Sequence, residues 1–330
     1  MTLRTPLCDL LGIELPIVQA PVSDSPALAA AVSNAGGLGM LQLSWFGLDE
    51  ARAAIRETRR LTGRPFGVNL VLEWPQEERL ELALEEGVPV VSLFWGDPAP
   101  SVGPVHEAGG LVLFTVGSAA QASRAADLGV DAVVAQGWEA GGHVWGEVST
   151  LALVPAVVDA VTPLPVLAAG GIADGRGLAA ALALGAAGVW VGTRFVGSEE
   201  AGVHPLYKRL LAQAAETDTV HSSLFDVGWP DAPHRALKNS TVRLWEEAGR
   251  PASGARPGEG EPVAARADGS PVPRYSSSPP RQGMTGDLEA LALYAGQGAA
   301  LVREVLPAGE IVRTMAAEAE RVLAGLAPRG

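Results

Sequence analysis

The chain has 330 residues, of which 48% are hydrophobic and 18% charged, a composition that supplies a large core and excludes a disordered chain. Its formal net charge of −13 argues against binding to nucleic acid or to anionic membranes, which both select basic surfaces. The single cysteine, Cys8, excludes an internal disulfide and a cysteine-based metal cluster, and we expect a cytoplasmic protein with no metal site, since neither a secretory signal nor a membrane-spanning run is evident.

Short apolar runs alternate with amphipathic segments through the first two thirds of the chain. The eight candidate strands are Ile17–Ala20, Gly39–Gln42, Phe66–Leu70, Val88–Phe94, Leu111–Val116, Ala132–Gln136, Val166–Ala169 and Gly188–Val191. Most of these runs are uniformly apolar, which is typical of strands buried on both faces of a parallel sheet.

Helical patterns lie between the candidate strands. The predicted helices are Pro26–Asn34, Leu48–Leu61, Gln76–Glu86, Ser118–Leu128, Thr150–Val161 and Asp174–Leu184. The segment Pro98–Ala108 contains three prolines and a glycine, which disfavour a long helix. Eight strands with intervening helices predict a TIM (β/α)8 barrel. A doubly wound sheet is disfavoured because no G-x-G-x-x-G turn follows the first strand.

The last third of the chain has a different composition. Residues 241–283 form a Gly/Pro/Ser-rich excursion, which we interpret as a long C-terminal insertion and a candidate lid over the site. Residues 1–240 together with 284–330 are then the barrel and its packing helices. Two extra C-terminal helices are predicted over Gly286–Leu306 and Ala308–Leu326, separated by Pro307.

Glycines follow the seventh and eighth candidate strands, at the barrel end where enzymes of this fold carry their chemistry. Gly170 and Gly171 follow the seventh strand, and Gly192 and Thr193 follow the eighth. Glycine lets backbone N–H groups approach an anion closely. Two such loops on neighbouring strands favour phosphate binding over simple tight turns.

His143 stands in a glycine-flanked loop after the sixth strand, and the near-neutral pKa of histidine suits proton abstraction. Glu139 in the same loop is either a second polar group of the site or a helix-capping or surface residue, and these alternatives stay open. His204, His221 and His234 follow the eighth strand at a spacing that matches no metal motif, and we expect a surface or loop role for His221.

Several motifs stand in a recognisable order along the chain. They are Gln19-Ala20-Pro21, Gly36-Gly37-Leu38-Gly39, Phe66-Gly67-Val68-Asn69-Leu70, Ala135-Gln136-Gly137 with Glu139-Ala140-Gly141-Gly142-His143, Ala169-Gly170-Gly171-Ile172, Gly192-Thr193-Arg194-Phe195 and Ala295-Gly296-Gln297-Gly298. Together they resemble the nitronate monooxygenase (2-nitropropane dioxygenase) family of FMN-dependent barrels. The resemblance covers nearly all of the chain outside residues 249–283, and its most specific part is the sixth-strand motif.

This resemblance implies FMN bound across the barrel top and a flavin-dependent oxidation with O2 of a small C–H-acidic substrate. His143 would be the base that removes the proton next to the nitro group. The implied cofactor residues are Ala20, Pro21 and Val22 against the flavin, Asn69 and Gln136 at its polar edges, and Gly141, Gly170, Gly171, Gly192 and Thr193 around ribityl and phosphate. Val22 stands where the family often has methionine, which alters the flavin face.

Two other functions remain open at this point. One is an FMN- and NAD(P)H-dependent enoyl-thioester reductase, because related barrels catalyse that reaction. The other is a barrel that binds a ligand without catalysis.

Five tryptophans follow predicted strands two, three, four and six. They are Trp45, Trp74, Trp95, Trp138 and Trp145. We hypothesise that they converge on the barrel mouth as a pocket for a bulky or aromatic ligand, the alternative being that they pack between loops and helices. The hypothesis requires at least three of the five to line the cavity.

Overall fold

The computed structural model describes residues 3–326. The strands are β1 (Ile17–Gln19), β2 (Gly39–Gln42), β3 (Phe66–Val71), β4 (Val90–Phe94), β5 (Leu111–Val116), β6 (Ala132–Gln136), β7 (Gly142–His143), β8 (Val166–Ala169), β9 (Gly188–Val191), β10 (Thr219–Ser222), β11 (His234–Leu237), β12 (Pro262–Ala265), β13 (Pro271–Pro273) and β14 (Thr285–Gly286). The helices are α1 (Pro6–Leu11), α2 (Pro26–Asn34), α3 (Leu48–Leu61), α4 (Glu77–Glu85), α5 (Ala99–Glu107), α6 (Ala119–Asp127), α7 (Thr150–Val161), α8 (Gly175–Ala183), α9 (Thr193–Val196), α10 (Pro205–Ala212), α11 (Ser240–Glu247) and α12 (Ala308–Leu326).

Eight parallel strands form the barrel, in the order β1-β9-β8-β6-β5-β4-β3-β2. The ring closes between its two ends, where the Leu38 N–H donates to the Ile17 carbonyl and the Gln19 N–H donates to the Leu38 carbonyl. The buried Gln19 side chain adds to this closure because its Oε1 accepts from the Met40 N–H at 3.0 Å. The predicted (β/α)8 barrel is confirmed.

The apolar core lies both outside and inside the barrel. The larger cluster fills the space between the strands and the surrounding helices. A second cluster fills the barrel interior, where Met40, Leu113 and Leu167 pack with Leu7 and Leu11 of α1. Because α1 closes the amino-terminal end of the barrel, the carboxyl-terminal end is the one that holds a cavity.

The predicted barrel elements are all present, with strand bounds shifted by no more than two residues. The proline-rich segment after β4 forms the nine-residue helix α5. Pro100 is tolerated there because the first turn of a helix leaves its N–H groups without intrahelical partners. Within residues 3–326, no helix combines the length and the apolar character needed to cross a bilayer.

The helix predicted over Gly286–Leu306 is wrong. This stretch contains two 3-10 turns, Leu288–Ala290 and Gln297–Leu301, joined by extended backbone. Between the two turns its backbone pairs with β11, since the Leu237 N–H donates to the Leu293 carbonyl and the Ala295 N–H donates to the Arg235 carbonyl. The predicted helix Ala308–Leu326 is confirmed as α12, which packs against α8.

The Gly/Pro/Ser-rich excursion is more ordered than its composition indicates. It contains most of α11 and an antiparallel hairpin of β12 and β13. Arg256 anchors it: the buried guanidinium lies 2.9 Å from the Asp226 carboxylate, also pairs with Glu259, and stacks 4.3 Å from the Tyr275 ring. A buried arginine is stable only when it is paired in this way. A lid role for the excursion stays a prediction.

Candidate active site

A cavity of about 290 Å³ opens at the carboxyl-terminal end of the barrel strands. All eleven residues assigned to FMN or to catalysis from the sequence line it. They are Ala20, Pro21, Val22, Asn69, Gln136, Gly141, His143, Gly170, Gly171, Gly192 and Thr193. The fold therefore brings together, from six separate loops and strand ends, residues that lie up to 173 positions apart in the sequence.

His143 is held by a small antiparallel sheet beside the barrel mouth. Its strand β7 pairs with β11, so that His143 lies opposite His234. The Gln136 Nε2 donates to the His143 carbonyl at 3.0 Å, and the Val144 N–H donates to Pro233 at 2.8 Å. This pairing fixes the backbone of the catalytic candidate, and the short strands that provide it gave no periodic signal in the sequence.

Aromatic rings enclose the His143 imidazole. The Trp229 indole stacks on it with ring centroids 3.8 Å apart and planes at 27°, and the Tyr294 ring lies 5.3 Å away. Burial, with a smaller contribution from His234, holds the pKa of His143 well below its usual value. The Nε2 atom is buried and has no hydrogen-bond partner among residues 3–326. Burial thus favours the neutral imidazole, and its Nε2 is left without a hydrogen-bond partner among these residues.

His234 is also surrounded by aromatic rings, but its ring nitrogens, unlike the Nε2 of His143, both have hydrogen-bond partners among the described residues. Its Nδ1–H donates to the Ala232 carbonyl at 2.9 Å, and its Nε2 accepts from the Phe225 N–H at 3.2 Å. Burial lowers the pKa of His234 to about 4. Both nitrogens are occupied in the neutral form, so His234 has a structural role. The sequence did not reveal this buried position.

The loops after β6, β8 and β9 meet in a glycine-lined cradle. A Cβ on Gly141 would lie 2.4 Å from the Gly296 nitrogen, so only glycine permits this approach. Gly170 has a φ of +106°, which a side chain rarely adopts. The Thr193 Oγ1 accepts from the Gly296 N–H at 3.0 Å and ties the β9 loop to the segment after Tyr294.

Glu139 is a helix cap. Its carboxylate accepts from the Thr150 N–H at 2.8 Å and from the Thr150 Oγ1 at 3.0 Å, at the first residue of α7. It does not line the cavity. Of the two alternatives that the sequence left open, capping is the one the structure supports.

Two amide side chains present polar atoms to the cavity wall. The Gln136 Oε1 is buried without a hydrogen-bond partner among the residues from 3 to 326. Asn69 donates from Nδ2 to the Ser92 carbonyl at 3.2 Å while it also lines the cavity. A buried amide oxygen without a partner requires a donor. The ring N–H of an oxidised flavin supplies such a donor, and the glycine cradle leaves room for its phosphate, so the residues present fit a flavin.

The five-tryptophan pocket is wrong as predicted, because two of the five line the cavity. Trp45 and Trp74 do so. Trp95 and Trp145 pack on each other with centroids 4.7 Å apart, and Trp138 lies 4.2 Å from the Arg235 guanidinium. Two further tryptophans, Trp190 and Trp229, do line the cavity. The pattern of tryptophans after predicted strands missed them because Trp190 lies within β9 and Trp229 lies beyond all eight barrel strands.

The excursion supplies one wall of the cavity through Ser277, Ser278, Pro279 and Arg281. Arg281 forms an ion pair with Asp24, which belongs to the loop after β1. Backbone contacts reinforce this wall, since the His204 N–H donates to the Pro280 carbonyl at 3.0 Å.

The arrangement of a glycine cradle, a neutral histidine and two cavity-facing amides agrees with a known family. The sequence profile described as nitronate monooxygenase matches residues 4–78 and 74–318. The chain belongs to the nitronate monooxygenase family. Members of this family are flavin-dependent oxidoreductases, and this protein is one of them.

Relatives of this nitronate monooxygenase family member include enzymes with different names. Over 255 residues it is 42% identical to the (3aS,4S,5R,7aS)-5-hydroxy-7a-methyl-1-oxo-octahydro-1H-indene-4-carboxyl-CoA dehydrogenase of Mycobacterium tuberculosis, which covers 76% of this chain and 70% of the relative. It is 36% identical to the nitronate monooxygenase of Pseudomonas aeruginosa, with 94% of this chain and 97% of the relative covered. The structure of FabK from Thermotoga maritima superposes with a TM-score of 0.83 at 37% identity, over 98% of both chains.

Proposed function

We propose that the protein uses FMN and O2 to oxidise a C–H-acidic substrate of the nitroalkane or nitronate class, with His143 as the general base. The observation that carries this proposal is the buried, neutral imidazole on the wall of the glycine-lined cavity, with its Nε2 unpaired among residues 3–326. The family membership of the chain supports the flavin and the oxygen chemistry.

The cavity residues divide into those that would hold FMN and those that would face the substrate. Around the ribityl chain and phosphate we place Gly141, Gly170, Gly171, Gly192 and Thr193, and at the ring we place Ala20, Pro21, Val22, Asn69 and Gln136. When bound, FMN supplies the electron acceptor for the deprotonated substrate.

The proton-transfer step follows from the surroundings of His143. The C–H bond next to the nitro group breaks, the proton passes to a nitrogen of the His143 imidazole, and the electron pair stays on carbon and delocalises into the nitro group. A buried imidazolium is costly unless an anion lies beside it. The substrate anion formed in the same step is that partner. In these apolar surroundings the proton transfer is favourable only because the imidazolium and the substrate anion form side by side.

Replacement of His143 tests the base role. We expect His143→Asn to retain flavin and to lose activity on neutral nitroethane by a factor of about 100 or more, the range ascribed to a general base. Activity on preformed ethyl nitronate should survive, because that substrate needs no proton abstraction. His106→Asn is the control, since His106 is an exposed histidine paired with Asp131. Full activity of His143→Asn on neutral nitroethane would exclude the base role.

A thioester substrate is the second candidate, because one relative at 42% identity is named as a carboxyl-CoA dehydrogenase. The carbon next to a thioester carbonyl is also C–H-acidic, so the same base would serve. Anaerobic addition of NAD(P)H tests the enoyl-thioester reductase: rapid flavin bleaching followed by reduction of an enoyl thioester supports it, and a flavin that NAD(P)H leaves oxidised excludes it. A protein that neither contains nor binds flavin would instead be a non-catalytic barrel.

A further inference from the structure

We propose that Trp45, Trp74 and Trp229, here called the tryptophan cluster, form an aromatic subsite that binds a ring-bearing apolar group of the substrate. The proposal rests on the proposed function, because it names the substrate class that the same site takes. It predicts that the preferred substrate carries its acidic C–H next to a ring, and that a short, open-chain nitroalkane is a poorer substrate.

The three indoles form one contiguous surface. Ring centroids are 5.8 Å apart for Trp45 and Trp74, 5.0 Å for Trp74 and Trp229, and 6.3 Å for Trp45 and Trp229. All three line the cavity. Their interplanar angles of 53° to 65° form an angular wall, which offers a bound ring both faces and edges, the two arrangements that aromatic pairs prefer.

The tryptophan cluster extends from the solvent to the base. Trp45 is 46% exposed at the cavity mouth, whereas Trp229 is 3% exposed and stacks on His143. A half-exposed indole that continues into a buried aromatic surface is the kind of apolar patch that marks a ligand site. A ring bound on the cluster would place its neighbouring carbon beside the His143 imidazole.

Trp74, which contacts both other members of the tryptophan cluster, lies across the barrel from the β8 loop of the glycine cradle. Trp74 follows β3, and Gly170 and Gly171 follow β8, which is four strands away in either direction around the closed ring. The phosphate end of a nucleotide cofactor and a ring on the cluster therefore occupy opposite sides of the mouth. This separation assigns the cluster to the substrate.

The indole nitrogens add a polar component. In the part of the chain from 3 to 326, no hydrogen bond joins the Nε1 of Trp45, Trp74 or Trp229 to another residue, although the Nε1 of Trp245 donates to the Pro251 carbonyl at 2.9 Å. N–H donors next to aromatic faces suit a ring that carries a nitro or carbonyl oxygen. The cluster thus favours a ring with an acceptor group attached close to it.

Binding without turnover gives the first test. Isothermal calorimetry on the flavin-loaded protein compares phenylacetamide with acetamide, which differ by one phenyl ring. We expect at least tenfold tighter binding of phenylacetamide, and a loss of most of this difference in Trp74→Leu, because a ring-sized apolar contact is worth one to two orders of magnitude. Trp245→Phe, a tryptophan outside the cavity, should keep the wild-type difference, and Trp229→Phe should keep most of it.

The outcomes separate this proposal from the proposed function. Equal binding of the two amides, or an unchanged difference in Trp74→Leu, overturns the subsite. Release of flavin by Trp74→Leu, seen as lost visible absorption in a protein with wild-type circular dichroism, makes the cluster a cofactor contact and also overturns it. A ring preference in binding without turnover of any nitro compound supports the subsite and refutes the proposed function. Turnover of nitroethane at the same kcat/KM as phenylnitromethane refutes the subsite alone.

Discussion

His143 and His234 are cross-strand partners on β7 and β11, with ring centroids 5.5 Å apart. The two residues are chemically identical and both are kept neutral by burial. They differ in hydrogen bonding, since both nitrogens of His234 are occupied while the Nε2 of His143 has no partner among residues 3–326. The difference in hydrogen bonding therefore indicates a structural role for His234 and a role in the cavity for His143.

The pH dependence of activity should follow the lowered pKa of His143. A base is active when deprotonated, so kcat/KM for neutral nitroethane is expected to be flat above the ordinary histidine pKa of 6.5 and to fall only at lower pH. Trp229→Leu opens the stacked face of the imidazole to water and should move this acidic limb upward, towards 6.5. An acidic limb at or above 6.5 in the wild-type protein would contradict the burial of His143.

The stability of the fold should depend on pH through His234. Its pKa is about 4 in the folded protein and 6.5 when unfolded, so the unfolded state binds more protons between these values. Stability is complete above pH 6.5 and decreases as the pH falls towards 4, by an amount on the order of 3 kcal/mol. Urea unfolding at pH 7 and pH 4.5 measures it.

The matched variant for this stability test is His234→Gln, whose amide can still donate to the Ala232 carbonyl. It should be less stable than wild type at pH 7 and should lose much less stability on acidification. His143 contributes with the same sign in both proteins, so the difference between them isolates His234. The same pH dependence in both proteins would show that His234 does not titrate between the two states.

Alanine substitutions should distinguish glycines that are required for close backbone packing of the cradle from glycines that keep the cavity open for the cofactor. In Gly141→Ala the new Cβ meets backbone atoms of Ala295 and Gly296, so the segment must shift, at a cost of about 2 kcal/mol in stability and with loss of FMN. In Gly192→Ala the nearest atoms are side-chain carbons at 3.5 Å. That variant should keep its stability and bind FMN at least tenfold more weakly, because the methyl group enters the cavity.

Thermal unfolding and titration with FMN measure the two effects. The control is Gly103→Ala on α5, where a Cβ has no neighbour within 4 Å and alanine favours the helix by up to about 1 kcal/mol. Wild-type FMN affinity in Gly192→Ala would place the phosphate outside the cradle.

The ion pair of Arg281 and Asp24 should influence substrate access more than stability. Both side chains are partly exposed, so Arg281→Gln is expected to cost less than about 1 kcal/mol in unfolding free energy. It should raise KM several-fold, since the wall formed by Ser277 and Ser278 loses its tie to the loop after β1. Salt should raise KM in wild type and have little effect in the variant.

The control for this pair is Arg266→Gln, an arginine of the same excursion whose guanidinium, among residues 3–326, donates to Ser270 and Pro271. It should leave KM and its salt dependence unchanged. An Arg281→Gln enzyme with wild-type KM at low salt would show that the wall does not limit access.

Much of the barrel and of the cradle was predictable from the sequence because it depends on local patterns. Uniformly apolar strands indicate burial on both faces of the sheet. Glycines that follow successive parallel strands lie at the same end of the barrel. Gly170, Gly192 and His143 were located by this rule alone. Composition did not reveal the order within the excursion, because the Arg256–Asp226 ion pair and the Arg256–Tyr275 contact that stabilise it join residues far apart in the sequence.

The sequence by itself determined the barrel, the order of its loops and which of them face the cavity, since these follow from hydrophobic period and chain order. Only the tertiary structure decided that Trp229 and not Trp95 or Trp145 lines the cavity, and that His234 is a structural partner of His143. The physical reason is that both outcomes depend on the antiparallel pairing of β7 with β11. That pairing joins two short segments that are far apart in the sequence. Neither segment has a hydrophobic periodicity from which the strand or its partner could be predicted.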